Sequence, residues 1–179
     1  MTDTIAPLIV KWLTHDFASP IATVMTASEL LSGEADAEIN GLVQDAAKGL
    51  GARLRLVRAA LAPGDAPVGG AALERLVREG VTGTPVTWNR PTGDLDGAQC
   101  AVIAGAAMLL ADIRRGQPLT VNADGVHWPA PHPLPPTVAA ALAGGGAVDG
   151  KSALAAMLAA AAARAGLELV VGDTGITWA

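Results

Sequence analysis

Aromatic side chains are scarce in this chain. Its 179 residues include four Trp, one Phe and no Tyr, 3% in all. The interior must therefore be built from Ala, Leu, Val and Ile, which suits thin, closely packed helices better than an aromatic-rich β-sandwich. Cysteine is nearly absent too. Cys100 stands alone, which excludes a disulfide framework and any Cys-based zinc cluster. Basic residues are outnumbered, Lys+Arg 12 against Asp+Glu 17, for a net charge of -5. General nucleic-acid or anionic-membrane binding needs a cationic field, so neither is expected. The longest apolar run, Ala153 to Ala163, is closed by Lys151 and Arg164 and falls short of the about 20 residues that cross a bilayer. Asp3 near the start, with no basic region ahead of an apolar stretch, speaks against a signal peptide. A cytoplasmic location is the default expectation.

What is present is a core-forming composition, 51% hydrophobic against 16% charged, which excludes a disordered chain. At about 100–200 residues per domain the length suits one domain or two small ones. The first part reads as two helices. Ile5, Ile9, Leu13, Val24, Ala27 and Leu31 keep the spacing of one helical face, and Ser32-Gly33 supplies a stop. Ile39, Val43, Ala46, Leu50, Leu54, Val57 and Leu61 repeat at threes and fours. Two helices of about 25 residues, each about 38 Å long, joined by a short linker must run antiparallel. Such a hairpin alone cannot bury both its faces, so residues 1–62 are expected to pair with a second copy as a dimeric four-helix bundle.

Residues 63–70 lie in the stretch APGDAPVGG and read as a linker. Beyond it, residues 71–179 alternate. A short helix is expected over Ala71 to Glu79, a strand over Pro85 to Trp88, and an apolar helix over Gln99 to Arg115. A hairpin follows around Asp124-Gly125, then a Pro-rich loop from Pro129 to Pro136 and a short helix to Ala143. Asp149 is placed to cap a helix to Ala165, and a last hairpin turns at Gly172 to Gly175. This pattern predicts a small α+β layer domain with helices on one face of a mostly antiparallel sheet.

The chemistry-bearing stretch is His15-Asp16-Phe17-Ala18-Ser19-Pro20, inside the first helix. Proline there removes a backbone hydrogen bond at about 3 kcal/mol and needs a reason, either a packing kink or function. His15 lies about 120° from the centre of the apolar stripe at 100° per residue, on or near the solvent flank. Asp16 either orients the imidazole or makes a salt bridge, for instance to an arginine of the second helix. Ser19 shares the His15 face and either lines a reaction site or satisfies backbone freed by Pro20. Arg53, Arg55 and Arg58 are either guanidinium contacts for a phosphoryl group or acidic partner, or a solvated helix face near a C-terminus.

H-[DE]-x-x-[ST]-P on the first helix of a long hairpin is the phosphoacceptor pattern of two-component signalling bundles. HDFASPIATVMTASELL, ARLRLVRAAL, IRRGQPLTV and DGKSALAAMLAAAAARAGLELVV together resemble the ChpT-like histidine phosphotransferase family across essentially the whole chain. That resemblance implies a dimerisation and histidine phosphotransfer hairpin with His15 as phosphoacceptor. A degenerate histidine-kinase ATP-binding domain, unable to bind ATP, would follow it. The implied partners are receiver domains of a hybrid kinase and of response regulators, which bring the Mg²⁺. An unperturbed imidazole pKa of about 6.5 provides a neutral nucleophilic nitrogen near neutral pH, and transfer is mostly positioning and charge neutralisation. Rival readings are an ATP-dependent histidine kinase and a non-catalytic receiver-binding adaptor.

Gly145 to Ser152 is a formal phosphate-loop match, but helix-forming residues precede it where a strand is needed. A Gly-rich loop with Asp149 as cap is the alternative. The helix that would carry a kinase's Mg²⁺-holding Asn has none, and Asp-x-Gly-x-Gly occurs nowhere. His127 and His132 have no partners at metal-ligand spacing, so no metal or intrinsic cofactor is expected. Trp12 and Trp88 read as packing residues, and Cys100 as a small buried apolar group.

Overall fold

The computed structural model describes residues 2–30 and 37–179. The Ser32-Gly33 stop signal and Leu31 lie outside the described residues. Helix α1 (Thr2–Leu30) runs through both Pro7 and Pro20, and α2 (Ala37–Leu61) packs along it as the antiparallel partner. The hairpin does not stand apart from the rest of the chain. Ala52, Leu56, Val57 and Ala60 of α2 are buried in one core with the elements that follow.

That core is organised around α4 (Gly97–Ile113). Asp96 caps it, its side chain accepting from the Gln99 N–H at 2.7 Å while Gln99 reaches back to the Asp96 N–H. Every residue from Cys100 to Asp112 is buried, because α2, α3 (Gly70–Gly80) and α6 (Gly150–Ala165) pack on it and a sheet supports it. Small residues set the distances. A Cβ on Gly105 would sit 3.4 Å from Leu158 and 4.0 Å from the Ala60 methyl, and one on Gly80 would overlap Leu56 at 2.5 Å. Full burial of each Leu, Ile or Met in this core contributes about 1.5–3 kcal/mol.

The sheet is mixed. Besides α3 and α4, the second part of the chain supplies β1 (Val68–Gly69), β2 (Val86–Trp88), β3 (Asp94–Leu95), β4 (Leu119–Val121), β5 (Gly125–His127), α5 (Pro136–Leu142), β6 (Leu169–Gly172) and β7 (Gly175–Trp178). The five-stranded order is β2-β4-β5-β7-β6. β2 and β4 are parallel because α4 carries the chain back between them, and the other neighbours are antiparallel. Val121, Val126 and Ile176 line up across the inner face, while Thr87, Thr120 and His127 line up on the outer one.

Three local readings change. Residues 63–70 are not a free linker throughout, since Val68 and Gly69 pair with Leu95 and Asp94 and Gly70 opens α3. The turn expected at Asp124-Gly125 is shifted by one residue, with Val121 opposite Val126 and the Asn122 N–H on the Gly125 carbonyl. Gly125 belongs to the strand because a Cβ there would meet the Ile176 carbonyl at 2.8 Å. The parallel β2–β4 pair is the third departure.

Candidate functional site

The site is a cleft of about 540 Å³ between the hairpin and the rest of the chain. His15, Ser19 and Pro20 of α1 and Asp45 of α2 form one wall. The other is formed by Gly80 to Thr84 after α3, and by Asp112, Arg115 and Gly116 around the C-terminus of α4. His15 is exposed and makes no hydrogen bond among the described residues.

Asp16, one position on, turns about 100° from it and into the fold. Its carboxylate accepts from Arg53 Nε at 2.8 Å. Of the two roles open for Asp16, the geometry makes the salt bridge to the second helix. The same guanidinium donates through Nη2 to both oxygens of Asp112, at 2.9 and 3.0 Å, and through Nη1 to the Gly80 carbonyl at 3.4 Å. It also lies 5.5 Å from the centre of the Trp12 ring. Arg53, Asp16 and Asp112 keep 12%, 12% and 9% of their side-chain exposure. Burial pushes the Asp112 carboxyl up, with the Arg53 charge opposing that shift.

Pro20 removes the donor that the Asp16 carbonyl would otherwise accept from. The Ser19 hydroxyl makes no hydrogen bond among the described residues and so repairs nothing in the helix. The Thr23 hydroxyl donates to the Ser19 carbonyl at 3.1 Å. Ser19 is exposed in the His15 cleft.

The three arginines do not act as one patch. At 100° per residue, Arg53 points about 140–160° away from both Arg58 and Arg55. Arg53 is committed inside the fold. Arg55 is exposed and meets Glu79 at 3.3 Å, and Arg58 is exposed with no ion pair among the described residues.

Asp112 and Arg115 escaped the sequence reading. Asp112 left a local sign, being the one charge within the apolar run from Ala101 to Ile113. A buried carboxylate needs a cation, so a distant arginine could have been inferred from it. Nothing local distinguishes Arg115 from Arg114.

Away from the cleft, α1 and α2 share an apolar groove of about 460 Å³ lined by Leu13, Phe17, Ile21, Leu54 and Val57. Val10, Ile21 and Met25 of α1 and Leu42 and Leu54 of α2 are exposed. The Gly145 to Ser152 segment is no phosphate cradle. α5 precedes it, and the buried Ser152 hydroxyl accepts the N–H groups of Val148 and Asp149, both at 2.9 Å. Gly150 abuts Trp12, where a Cβ would lie 2.7 Å from the Trp12 Cβ. His132 packs edge-on to Trp128.

No protein-family model matches the chain, and no curated protein sequence matches it. Among solved structures it is similar to a bacterial phosphotransferase determined at 1.7 Å. The TM-score is 0.73 at 20% identity, covering 99% of this chain and 96% of that one. At that identity the likeness shows a shared fold over the whole chain. No described helix is long and apolar enough to cross a membrane.

Proposed function

We propose that the chain is a histidine phosphotransferase that carries a phosphoryl group on His15 between receiver-domain aspartates, as a member of the ChpT-like family. The observation that carries this reading is His15 itself: exposed in a cleft and without a hydrogen bond among the described residues, while the adjacent Asp16 is held on Arg53. The whole-chain likeness to a bacterial phosphotransferase supports it.

Transfer in keeps its own balance. The lone pair of one ring nitrogen forms the N–P bond as the acyl oxygen–phosphorus bond breaks, and the leaving aspartate keeps the electron pair. The partner supplies Mg²⁺, and transfer out is the reverse displacement. Asp16 acts here as a positioning residue, fixing the helix surface beside His15 through Arg53. Ser19 lines the phosphoryl site, Arg58 is left to meet an acidic receiver, and the exposed Arg55 would exchange Glu79 for one. The ATP-free form of the reading rests on the sequence: α4 carries no Asn to hold Mg²⁺, and Asp-x-Gly-x-Gly occurs nowhere.

The homodimer belongs to the same proposal. The exposed row Val10, Ile21 and Met25 and the groove it flanks fit a second hairpin completing a four-helix bundle.

The test is phosphoryl transfer from isolated receivers charged with acetyl phosphate, with ATP and Mg²⁺ in a parallel arm. Wild type should accept label from a receiver, and His15→Ala should accept none. Labelling from ATP would favour the kinase reading. A receiver bound equally by both proteins, with no label passed, would favour the adaptor.

A further inference from the structure

Phosphoryl transfer places negative charge on three equatorial oxygens, and a cation facing them is worth much in rate. The cleft around His15 holds two arginines, Arg53 and Arg115. Arg53 is unavailable, because its donors are engaged by Asp16, Asp112 and the Gly80 carbonyl. Arg115 is exposed and has no hydrogen bond or ion pair among the described residues, its charge being felt by the nearby Asp112 carboxyl without direct contact. Its neighbour Arg114 is committed elsewhere, 5.4 Å from the Trp128 ring centre and donating to the Ala130 carbonyl at 3.3 Å. The turn after α4 therefore leaves one arginine of the pair on Trp128 and Ala130 and the other lining the cleft that holds His15. Asp112, the acid near Arg115, already has Arg53 on both oxygens.

We propose that Arg115 is a catalytic residue of the second part of the chain, its guanidinium binding the phosphoryl group on His15 during transfer. This rests on the phosphotransferase reading and adds to it a role for residues beyond the hairpin. A planar fork of N–H donors suits the phosphoryl oxygens. It would also explain why a hairpin bearing the nucleophile is fastened to the α4 end by a buried ion-pair network: the network fixes the distance between His15 and Arg115.

The experiment uses the full chain and phosphoramidate, a small donor that needs no receiver. The His15 nitrogen attacks phosphorus, the P–N bond of the donor breaks, and ammonia leaves with a proton. Phosphorylation of wild type, Arg115→Gln, Arg115→Lys, Arg114→Gln and His15→Ala is followed by ³¹P NMR, with thermal melts alongside. Arg115→Gln should slow labelling of His15 at least about tenfold, as for the loss of one charged hydrogen-bonding partner. Arg115→Lys should recover part of the rate, and Arg114→Gln should match wild type. In wild type the bound phosphoryl group should lose its last proton at lower pH than in Arg115→Gln, since a facing cation favours the dianion. A merely structural arginine would not move that titration. Equal rates and equal titrations in wild type and Arg115→Gln would overturn the proposal alone. A loss of rate that follows a lowered melting temperature, with the titration unmoved, would overturn it too. Failure of wild type to form phosphohistidine would remove the phosphotransferase reading beneath it.

Discussion

Helices α1 and α4 differ in composition and in fate: α1 carries Asp3, Lys11, Asp16 and Glu29 along an apolar stripe, while α4 from Cys100 onwards is apolar all round but for Asp112. In α4 thirteen consecutive residues, Cys100 to Asp112, are buried. In α1, Ala27 alone among the described side chains is fully buried, and Val10, Ile21 and Met25 stand exposed. A helix apolar all round has to be enclosed, and α4 is enclosed by its own chain. A helix with an apolar stripe and no cover is waiting for a surface. His15 sits on the second kind of helix, on a face different from the uncovered stripe. One molecule therefore separates a finished interior from two exposed faces, one apolar and one bearing His15, and Arg53 joins the two helices through Asp16 and Asp112.

The largest way to break the contrast is to cut that tie. Arg53→Met would leave Asp16 and Asp112 nearly buried without their shared cation, at a cost of about 3–5 kcal/mol, read from urea unfolding at neutral pH. A loss below about 1 kcal/mol would mean that water reaches both carboxylates and the network is not a fastening.

A second comparison sets the two helices side by side. Leu109→Ala in α4 should lower stability by about 2–5 kcal/mol through lost burial and a cavity. Ile21→Ala in α1 should change the stability of the separated chain by no more than about 0.5 kcal/mol, as exposed sites do. In sedimentation it should instead weaken self-association. If Ile21→Ala destabilised the chain as much as Leu109→Ala, the α1 stripe would already be covered in the free molecule.

The same contrast decides what could be read from the sequence. Both hairpin helices were legible because their apolar residues recur at threes and fours. His15 was legible because its motif is local, with an acid and a serine-proline at fixed offsets. The Asp149 cap of α6 was equally local, bonding within three residues; the Asp96 cap of α4 is as local but went unread, the helix being expected only from Gln99. The Asp16–Arg53–Asp112 network was not, because its members come from three elements 37 and 59 residues apart. Only the packing of α2 on α4, where Gly105 faces Ala60, and on α3, where Gly80 faces Leu56, brings them together. The shift of the turn off Gly125 has a similar cause: the glycine answers a neighbouring strand and not its own turn.

The smallest effect, and the most discriminating, is in pH. The Asp112 carboxyl is raised above its ordinary value of 3.8 chiefly by burial, with Arg53 pulling it back. The folded chain thus holds the Asp112 proton more tightly than the unfolded chain. Between the two pKa values the native state binds more protons, so this group's contribution falls as pH rises through that window and grows as pH falls. Below the unfolded value both states are protonated and the difference stops changing. Asp112→Asn lacks this titration while keeping the shape and a hydrogen-bond acceptor for Arg53. Wild type should therefore gain stability relative to Asp112→Asn on acidification through the window, read as the difference between their urea midpoints. The opposite slope would mean that Arg53 outweighs burial. The Arg53 contact to both carboxylate oxygens would then outweigh the burial that otherwise holds the Asp112 proton on.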